Sequence, residues 1–259
     1  MQVAYSIDTR GWDIASYPYA LMTIGQLRAY GYLWEEAPRG YFTYLGQREV
    51  ATLPALYESD WSAASYVYAL LSLLPMGSTI KLQGLCLPSL QGDATHLVHL
   101  FELIGIDTET TEGGIMITHR GKQPPSHESF TAHMNECPDL VPAGVVALVG
   151  RNTPFTLTGV AHLRIKESDR LQALSDELAK LGVQLSLGED SLSWDGKTPL
   201  RPDHPVSILS PHGDHRIAMS LSLLALRLPS LRMEHPEVVG KSFPNFWREI
   251  APYISQANV

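Results

Sequence analysis

A widely spaced repeat constrains the fold of this 259-residue chain more than any other feature of its sequence. In three places an aspartate is followed four residues later by an alanine that opens an apolar run. The three copies are Asp60 with Ala64, Asp139 with Ala143, and Asp214 with Ala218. Aspartate favours the N-terminal cap of a helix and alanine its interior, so chance could also produce such pairs. Their near-regular separation of roughly 75 to 80 residues nevertheless indicates three similar structural units.

A second helix and several short strands accompany each start. Second helices are predicted to begin near Gly92, Lys166 and Ser242, and two of them end in a glycine, Gly105 and Gly182. Runs with strand-like composition lie at residues 79–82, 115–118, 155–160, 183–187 and 231–234. This alternation is typical of an α/β fold, and we expect three units that pack their helices together and present their strands outward.

Residues 1–56 fall outside the repeat. They contain a strand-like start, a helix-like run over residues 19–30 that ends at Gly31, and a Gly- and Pro-punctuated segment over residues 38–53 typical of strands and turns. So short a segment cannot bury a core of its own. We therefore predict two parts: residues 1–56, which must pack against something else, and a globular domain of three units over residues 57–259.

The charge and the cysteine content argue against several classes of protein. A formal net charge of −8 opposes binding to nucleic acid, so an anion site would need a local cluster of Arg and Lys. Cys86 and Cys137 lack the spacing of a metal site or a disulfide framework. No apolar run reaches the length of a membrane span, and the first twenty residues do not resemble a signal peptide. We expect a cytoplasmic protein that binds neither nucleic acid nor membrane.

Ionisable side chains are concentrated in the segment 164–170. The apolar stripe of an amphipathic helix follows it, at Leu171, Leu174, Leu178 and Leu181. The charged segment is therefore predicted to form the start of this helix, with Lys166 and Arg170 on one face. Two cations beside the positive end of a helix dipole suit an anionic ligand, and Glu167 suits proton transfer. A solvated first turn with salt bridges is the alternative interpretation.

Other charged side chains also stand at predicted helix starts. Asp214, His215 and Arg216 open the third unit, Asp139 opens the second, and Lys241 lies beside the last helix. Taken singly, each is most simply a helix-end charge or a solvated side chain. Repeated units with a common orientation would bring these starts together. We therefore predict a single anion-binding face that also holds carboxylates.

Four short motifs occur in an order and spacing that point to a known family. They are Ser89–Asp93, Lys166–Leu171, Asp214–Met219 and Lys241–Pro244. Together they resemble the EPSP synthase family, whose members are 3-phosphoshikimate 1-carboxyvinyltransferases. The segment Ser16–Tyr19 is similar to a further family motif, except that Tyr17 stands where a basic residue is usual.

The resemblance implies a fold and a reaction. The family fold has two globular domains, each built from three βαβαββ units, that close around shikimate 3-phosphate and phosphoenolpyruvate. Members transfer a carboxyvinyl group from phosphoenolpyruvate to the 5-hydroxyl of shikimate 3-phosphate and release phosphate. The resemblance implies no metal and no other cofactor. This inside-out α/β fold agrees with the units predicted from the repeat.

The resemblance also implies roles for individual residues. Asp139 would engage the 5-hydroxyl, and Glu167 would transfer a proton at C3 of phosphoenolpyruvate. The implied substrate-binding residues are Ser16, Tyr19, Lys166, Arg170, His215, Arg216 and Lys241. Among these, Arg170 and Arg216 would hold the carboxylate of phosphoenolpyruvate, and Lys241 would lie on its phosphate side.

The chain departs from the family pattern in length and at single positions. Family members are much longer, so we expect this chain to correspond to their C-terminal part, with residues 1–56 as the last unit of the other domain and the crossover. His162 stands where many members have asparagine. Because catalysis depends on closure of two domains, we expect little or no turnover from this chain alone. The missing half would then be its partner in trans.

Two other functions stay open from the sequence. A non-catalytic remnant would bind only an anion or a partner. The related UDP-N-acetylglucosamine enolpyruvyl transferases carry a reactive cysteine in a loop where neither Cys86 nor Cys137 lies, and the segment 166–170 fits the shikimate enzyme better. Turnover after mixing with the missing half would distinguish a split enzyme from a remnant.

Overall fold

The computed structural model describes residues 5–50, 52, 58–121, 129–201 and 208–256. In chain order the elements are β1 (Ser6–Asp8), α1 (Tyr17–Ala29), β2 (Tyr32–Glu36), β3 (Tyr41–Gln47), α2 (Trp61–Leu73), β4 (Thr79–Gln83), α3 (Asp93–Leu103), β5 (Ile106–Thr111), β6 (Gly114–His119), β7 (Phe130–His133), α4 (Val141–Gly150), β8 (Phe155–Thr158), α5 (Arg170–Lys180), β9 (Ser186–Leu187), β10 (Ser191–Trp194), β11 (Ile208–Leu209), α6 (His215–Ser222), β12 (Arg232–Met233) and α7 (Phe246–Gln256). Short 3-10 turns lie at Pro138–Leu140, Ala161–Ile165, Leu223–Leu226 and Pro236–Lys241.

Three helices form the buried centre of the molecule. Helix α4 packs against both α2 and α6, which also contact each other. Residues 141–149 of α4 are all buried, and a helix that is apolar all round is stable only inside a core. Each central helix begins at or close behind one of the repeated aspartates. The repeat in the sequence therefore marks the helices around which the fold is built.

The sheets cover this centre and follow one recurring pattern. In the sheets β4-β6-β5 and β8-β10-β9, the last strand along the chain lies between the other two and is antiparallel to both. Strand β7 extends the second sheet in parallel with β8, and β11 pairs in parallel with β12. In β4, Ile80 is buried while Lys81 is exposed, as expected for a sheet with one solvated face. The predicted α/β fold with central helices and outer strands is confirmed.

The N-terminal segment 5–50 has the same local arrangement. Elements β1, α1, β2 and β3 follow one another as strand, helix, strand and strand, and β3 lies between β1 and β2. A glycine follows the helix in each copy of this pattern: Gly31, Gly105 and Gly182 have φ values of 90°, 86° and 85°. This left-handed conformation ends helices and favours glycine. Segment 5–50 is thus built like one further unit.

Polar contacts join segment 5–50 to the rest of the chain. Its own small core consists of Tyr17, Ile24 and Phe42. The backbone N–H of Ser16 donates to the carbonyl of Asn135 at 2.8 Å. The guanidinium of Arg39 pairs with Glu136 at 2.6 Å. Because its core is so small, this segment depends on such contacts for its placement.

Some predicted boundaries differ from the structure. The helix predicted over 19–30 spans Tyr17–Ala29, and the strand predicted over 183–187 is reduced to Ser186–Leu187. The last helix begins at Phe246 and not near Ser242, because the chain first forms a 3-10 turn. The sequence patterns do not reveal β2, whose short apolar run is followed at once by two glutamates. Residues 51 and 53 of the predicted 38–53 segment, and residues 56 and 57 at the predicted domain boundary, lie outside the described residues.

Two arginine side chains bond backbone carbonyls at the C-terminal ends of the central helices α2 and α4. The Nη1 atom of Arg151 donates to the carbonyl of Ser72 in the last turn of α2, at 3.1 Å. The Nε atom of Arg227 donates to the carbonyl of Gly150 at the end of α4, also at 3.1 Å. Both cations meet the negative end of a helix dipole, which stabilises the helix. None of the helices in the described ranges combines the length and apolarity that crossing a bilayer requires.

Candidate functional site

The charged segment 164–170 has a different local structure from the predicted one. A 3-10 turn spans Ala161–Ile165, and α5 begins only at Arg170. Asp169 caps this helix by accepting a hydrogen bond from the backbone N–H of Gln172 at 3.0 Å. Lys166 and Glu167 therefore precede the helix, and the prediction that Lys166 and Arg170 share a helical face is wrong. An Asp cap competes with continued helix on its N-terminal side because its own backbone must be extended.

Arg170 is the hub of the site. Its side chain is 1% exposed, and each nitrogen of its guanidinium donates to a different carboxylate. Nε bonds Asp214 at 2.8 Å, Nη1 bonds Asp139 at 2.8 Å, and Nη2 bonds Glu167 at 2.7 Å. These partners precede or open three different helices, so one buried cation ties together the second and third units. The alternative of a solvated salt-bridged turn does not describe this network.

Asp139 lies among three cations. Its Oδ1 atom accepts from Nη1 of Arg170 at 2.8 Å and is 4.0 Å from the Nζ atom of Lys166. Its Oδ2 atom is 3.0 Å from Nη2 of Arg216. Burial alone would raise the pKa of Asp139, but Arg216, Arg170 and Lys166 outweigh it and lower that pKa. The carboxylate is therefore ionised at neutral pH and acts as an acceptor.

The three repeated aspartates perform different tasks. Asp60 and Asp214 each cap a central helix through Oδ1, at 2.8 Å from the N–H of Ser62 and 2.9 Å from that of Arg216. Asp214 also binds Arg170 through Oδ2 and is fully buried. Asp139 instead lies within the 3-10 turn Pro138–Leu140, and its side chain points to the arginines. The repeat predicts where an aspartate stands but not which partner it meets.

Glu167 bridges the hub to Lys241. Its Oε1 atom is 2.6 Å from Nζ of Lys241, and its Oε2 atom accepts from Arg170. The hydrogen bond from Lys241 is the main reason why the pKa of Glu167 falls to about 2, and Arg170 lowers it further. Lys241 keeps 58% of its side chain exposed, so it is the most accessible cation of the group.

Arg216 and His215 stand side by side in the first turn of α6. Besides Asp139, Arg216 contacts the hydroxyl of the buried Tyr66 at 3.5 Å. The imidazole of His215 is buried, and its Nδ1 atom has no hydrogen-bond partner within the described part of the chain. Burial and the neighbouring Arg216 lower the pKa of His215, which favours a neutral ring at pH 7. Arg216 is thus the permanent cation of this pair.

Tyr19 brings segment 5–50 to the site. Its hydroxyl donates to Oδ2 of Asp93 at 2.8 Å and lies 3.2 Å from the hydroxyl of Ser62. A Cβ atom on Gly92 would come within 2.9 Å of the Tyr19 ring, so only glycine allows this close approach. Ser16 contributes its backbone to Asn135 and makes no side-chain cap for α1.

A cavity of about 650 Å³ adjoins these residues. It lies between α1, the loop before α2 and the loop before α3, and it is lined by Tyr19, Met22, Gln26, Glu58, Asp60, Ser62, Cys86, Pro88, Ser89, Leu90, Gln91, Asp139 and Arg216. Tyr19, Asp139 and Arg216 thus share one cavity, whereas Lys166, Glu167 and Lys241 are not among its lining residues. Polar groups converging on a concave surface are typical of a ligand site.

Tyr17 and His162, the two positions that depart from the family pattern, differ in their surroundings. Tyr17 is buried in the small core, its hydroxyl bonds Glu36, and the guanidinium of Arg39 stacks over its ring at 4.3 Å. His162 is half-buried in the 3-10 turn before Lys166. Burial, and then the charge of Lys166, lower the pKa of His162. A neutral His162 is therefore compatible with the adjacent lysine.

Some residues of the site are not evident from the sequence patterns. Asp93 belongs to the motif Ser89–Asp93, but nothing in the motif indicates that it binds Tyr19. Tyr66 lies in an apolar run and looks like any core aromatic until Arg216 is placed beside it. Within the described ranges, no group of three or more His, Cys, Asp and Glu side chains is arranged to hold a metal ion. Both cysteines are free thiols, and Cys137 is buried.

The chain is similar in sequence to a known enzyme family over most of its length. The EPSP synthase (3-phosphoshikimate 1-carboxyvinyltransferase) family matches residues 5–250. A 3-phosphoshikimate 1-carboxyvinyltransferase of Bacteroides fragilis strain ATCC 25285 is 35% identical over 241 residues, which are 92% of this chain and 56% of the relative. One from Syntrophobacter fumaroxidans is 35% identical over 234 residues, 90% of this chain and 53% of the relative. The chain spans about half the length of the curated relatives it matches.

Solved structures agree on the fold. An EPSP synthase from Acinetobacter baumannii superposes with a TM-score of 0.69 at 23% identity, covering 96% of this chain and 56% of that one. The enolpyruvyl transferase NikO from Streptomyces tendae gives a TM-score of 0.68 at 16% identity, covering 97% and 56%. At these identities the structures support the fold alone, and the sequence match over residues 5–250 supports the family. By that match the chain belongs to the EPSP synthase family.

Proposed function

We propose that this chain provides the cationic face on which a carboxyvinyl group passes from phosphoenolpyruvate to the 5-hydroxyl of shikimate 3-phosphate. The observation that carries the proposal is the network around Arg170. It gathers Asp139, Glu167 and Asp214 about one buried guanidinium, with Arg216 beside them. Strongly anionic substrates need preorganised cations, and the network supplies them already oriented.

In the proposed reaction, Asp139 and Glu167 move the protons. The 5-hydroxyl oxygen bonds to C2 of phosphoenolpyruvate while its proton passes to Asp139, and C3 takes a proton from Glu167. The tetrahedral adduct then expels phosphate, which takes the proton held by Asp139, C3 returns a proton to Glu167, and the carbon–carbon double bond forms again. Asp139 is ionised at neutral pH and can therefore accept this proton. Lys166, whose Nζ atom is 4.0 Å from Oδ1 of Asp139, stabilises the reacting oxygen beside that carboxylate.

The cations are assigned to the anionic groups of the substrates. Arg170 and Arg216 hold the carboxylate of phosphoenolpyruvate, with the ligand replacing a carboxylate oxygen of the protein on the Arg170 guanidinium. Lys241 takes the phosphate of phosphoenolpyruvate, and His215 lies beside the two arginines. Ser16 and Tyr19 approach shikimate 3-phosphate from segment 5–50. Because the pKa of His215 is lowered, it contributes hydrogen bonding and shape, and the arginines contribute charge.

Lys241 also controls the proton donor in this scheme. A carboxyl group with a pKa of about 2 is ionised at neutral pH and so carries no proton to donate. When phosphate draws Lys241 away from Glu167, the main cause of the low pKa is removed. The pKa of Glu167 then rises toward its ordinary value, so a larger fraction of the group carries a proton for C3 when the substrate phosphate is bound.

The two-part organisation remains part of the proposal. Residues 1–56 form the last unit of a second domain together with the crossover, and residues 57–259 form the domain of three units. The unit-like pattern of segment 5–50 supports this division. The partner in trans is the half of the family fold that this chain does not cover, and the reducing cytoplasm is the compartment in which its two free thiols are stable.

Phosphate release with both substrates tests the proposal. The purified chain is assayed alone and after mixing with a separately produced N-terminal half of the Bacteroides fragilis relative. We expect little or no turnover alone and clear turnover from the mixture. The variant Glu167→Gln should abolish that turnover, whereas Glu237→Gln, an exposed glutamate in a 3-10 turn, should not. Phosphate binding without turnover in any mixture would instead indicate a non-catalytic remnant.

A further inference from the structure

The buried carboxylate of Glu177, which is not part of the anion-binding face, holds the loop that precedes α6 through hydrogen bonds. Glu177 lies two turns after Arg170 on α5, and its side chain is 1% exposed. Its Oε2 atom accepts from the backbone N–H of Ser210 at 2.9 Å and from Lys180 at 2.7 Å. Its Oε1 atom accepts from Nε2 of His212 at 2.8 Å and from Lys180 at 2.9 Å. Among the described residues, every polar contact of this carboxylate is made within α5 or to the loop before α6.

These contacts explain how Glu177 can be both buried and ionised. Burial raises the pKa of a carboxyl group, but the hydrogen bonds from Lys180, Ser210 and His212 outweigh it, so the pKa of Glu177 is lowered. An ionised carboxylate only accepts hydrogen bonds, so His212 donates through its Nε2–H. The group is fully partnered by donors, and a neutral amide in its place could not satisfy all of them.

The loop held by Glu177 needs such support. His212 has a φ of 52° and Gly213 one of 71°, and the first of these conformations is unfavourable for a residue with a side chain. The N–H of Asp214 closes the turn on the carbonyl of Pro211 at 2.8 Å. Immediately after the turn, Asp214 caps α6 and receives Nε of Arg170.

Helix α5 therefore holds this stretch of chain at two points. Arg170 at its first turn fixes Asp214, and Glu177 two turns later fixes Ser210 and His212. Between and just beyond these points the backbone must place Arg216 within 3.0 Å of Asp139. A shift of the turn would rotate the start of α6 and move the Arg216 guanidinium out of the network.

We infer that Glu177 is a positioning residue of the anion-binding face, which fixes the turn 210–213 and through it the placement of Arg216 without touching a ligand. The inference rests on the proposed function only in taking phosphoenolpyruvate as the ligand of that face. It assigns to α5 a second role beside carrying Arg170.

The test compares Glu177→Gln with Asp176→Asn in the purified full chain. Both changes remove one carboxylate from α5, but Asp176 is exposed on that helix and bonds only Gln172 among the contacts seen. In ligand-free protein, NMR signals of the backbone amides over 210–216 and of the Arg216 Nε–H should shift in Glu177→Gln and stay in place in Asp176→Asn. Affinity for phosphoenolpyruvate should fall at least about fivefold in Glu177→Gln and change less than about twofold in the control.

Unchanged ligand-free signals and unchanged affinity in a folded Glu177→Gln protein would overturn the inference. If that variant does not fold, His212→Gln carries the test, because it removes a single contact and leaves Lys180 and Ser210 on Glu177. The same signals should then shift, and their constancy would count against the inference. The ligand-free signals also report on positioning when wild-type protein does not bind phosphoenolpyruvate, so failure of the proposed function is distinguished from failure of this inference.

Discussion

Lys241 is paired with Glu167, with its Nζ atom 2.6 Å from Oε1 of the carboxylate. The most exposed cation of the face is thus bound to the group proposed to protonate the substrate. Any anion that approaches must compete with Glu167 for Lys241, and success changes the acidity of Glu167. One ion pair therefore links substrate binding to proton transfer.

Replacing Lys241 should raise the pKa of Glu167. In Lys241→Met, the pKa of Glu167 should rise from about 2 toward its ordinary value of 4.5, since the largest cause of the lowering is lost and only the backbone hydrogen bond of Glu167 and the charge of Arg170 still lower it. Titration of ¹³C-labelled glutamate carboxyl groups by NMR measures the change. Lys197→Met, which breaks an exposed pair with Asp195, serves as the control and should leave Glu167 unaffected. A Glu167 pKa near 2 in the Lys241 variant would contradict the assignment.

The same pair makes a signed prediction for stability against pH. The folded pKa of Glu167 lies below its ordinary value, so the ion pair stabilises the folded state fully above about pH 4.5 and the stabilisation is lost as pH falls toward 2. The fall in unfolding free energy between these pH values should be shallower in Lys241→Met than in wild type. Urea unfolding followed by circular dichroism at several pH values provides the measurement. Parallel curves for the two proteins would show that the pair contributes nothing to folding.

Replacing Arg170 should lower the free energy of unfolding strongly. Arg170→Met leaves three carboxylates, one of them fully buried, without their shared cation, and we expect a loss of about 3 kcal/mol or more in unfolding free energy. Arg248→Met removes an exposed arginine paired with Glu249 and should cost less than about 1 kcal/mol. Chemical denaturation of both variants makes the comparison. Equal losses would mean that the network around Arg170 has no special weight.

Two aspartates at equivalent positions of the repeat, Asp60 and Asp214, should contribute differently to the free energy of unfolding. Asp60→Ala removes a helix cap and should cost about 1 kcal/mol. Asp214→Ala removes a cap and also leaves Nε of Arg170 without its buried partner, so the loss should reach about 3 kcal/mol. Thermal and urea unfolding of the two proteins decide the matter. A larger loss for Asp60→Ala would contradict the roles described for the repeat.

The sequence predicts the central helices of this fold well because the residues that start and end a helix act locally. An aspartate cap followed by alanine, and a glycine that ends a helix, depend on backbone conformation within a few residues. The repeat therefore identifies the central helices before any tertiary contact is known. The strands are harder to bound, as Ser186–Leu187 illustrates, since pairing across the sheet decides how far each one extends.

The site is predicted less completely because its chemistry is tertiary. Glu167 and Arg170 are indicated by their charge, yet the sequence spacing misplaces the helix start that separates them. Asp93 and Glu177 become notable only when Tyr19 and the loop before α6 are brought against them. Charge density in the sequence thus indicates where the face is, and packing between units decides which groups meet.

The central claim is that the helix starts form one face for anionic substrates. Titration of the chain with phosphoenolpyruvate, followed by NMR, tests it most directly in wild type, Arg216→Met and Arg227→Met. Arg227 caps the opposite end of the bundle and controls for the loss of one positive charge. We predict saturable binding that weakens at least about tenfold in Arg216→Met and less than about twofold in Arg227→Met. Absence of binding to the wild-type chain, or equal weakening in both variants, would contradict the claim.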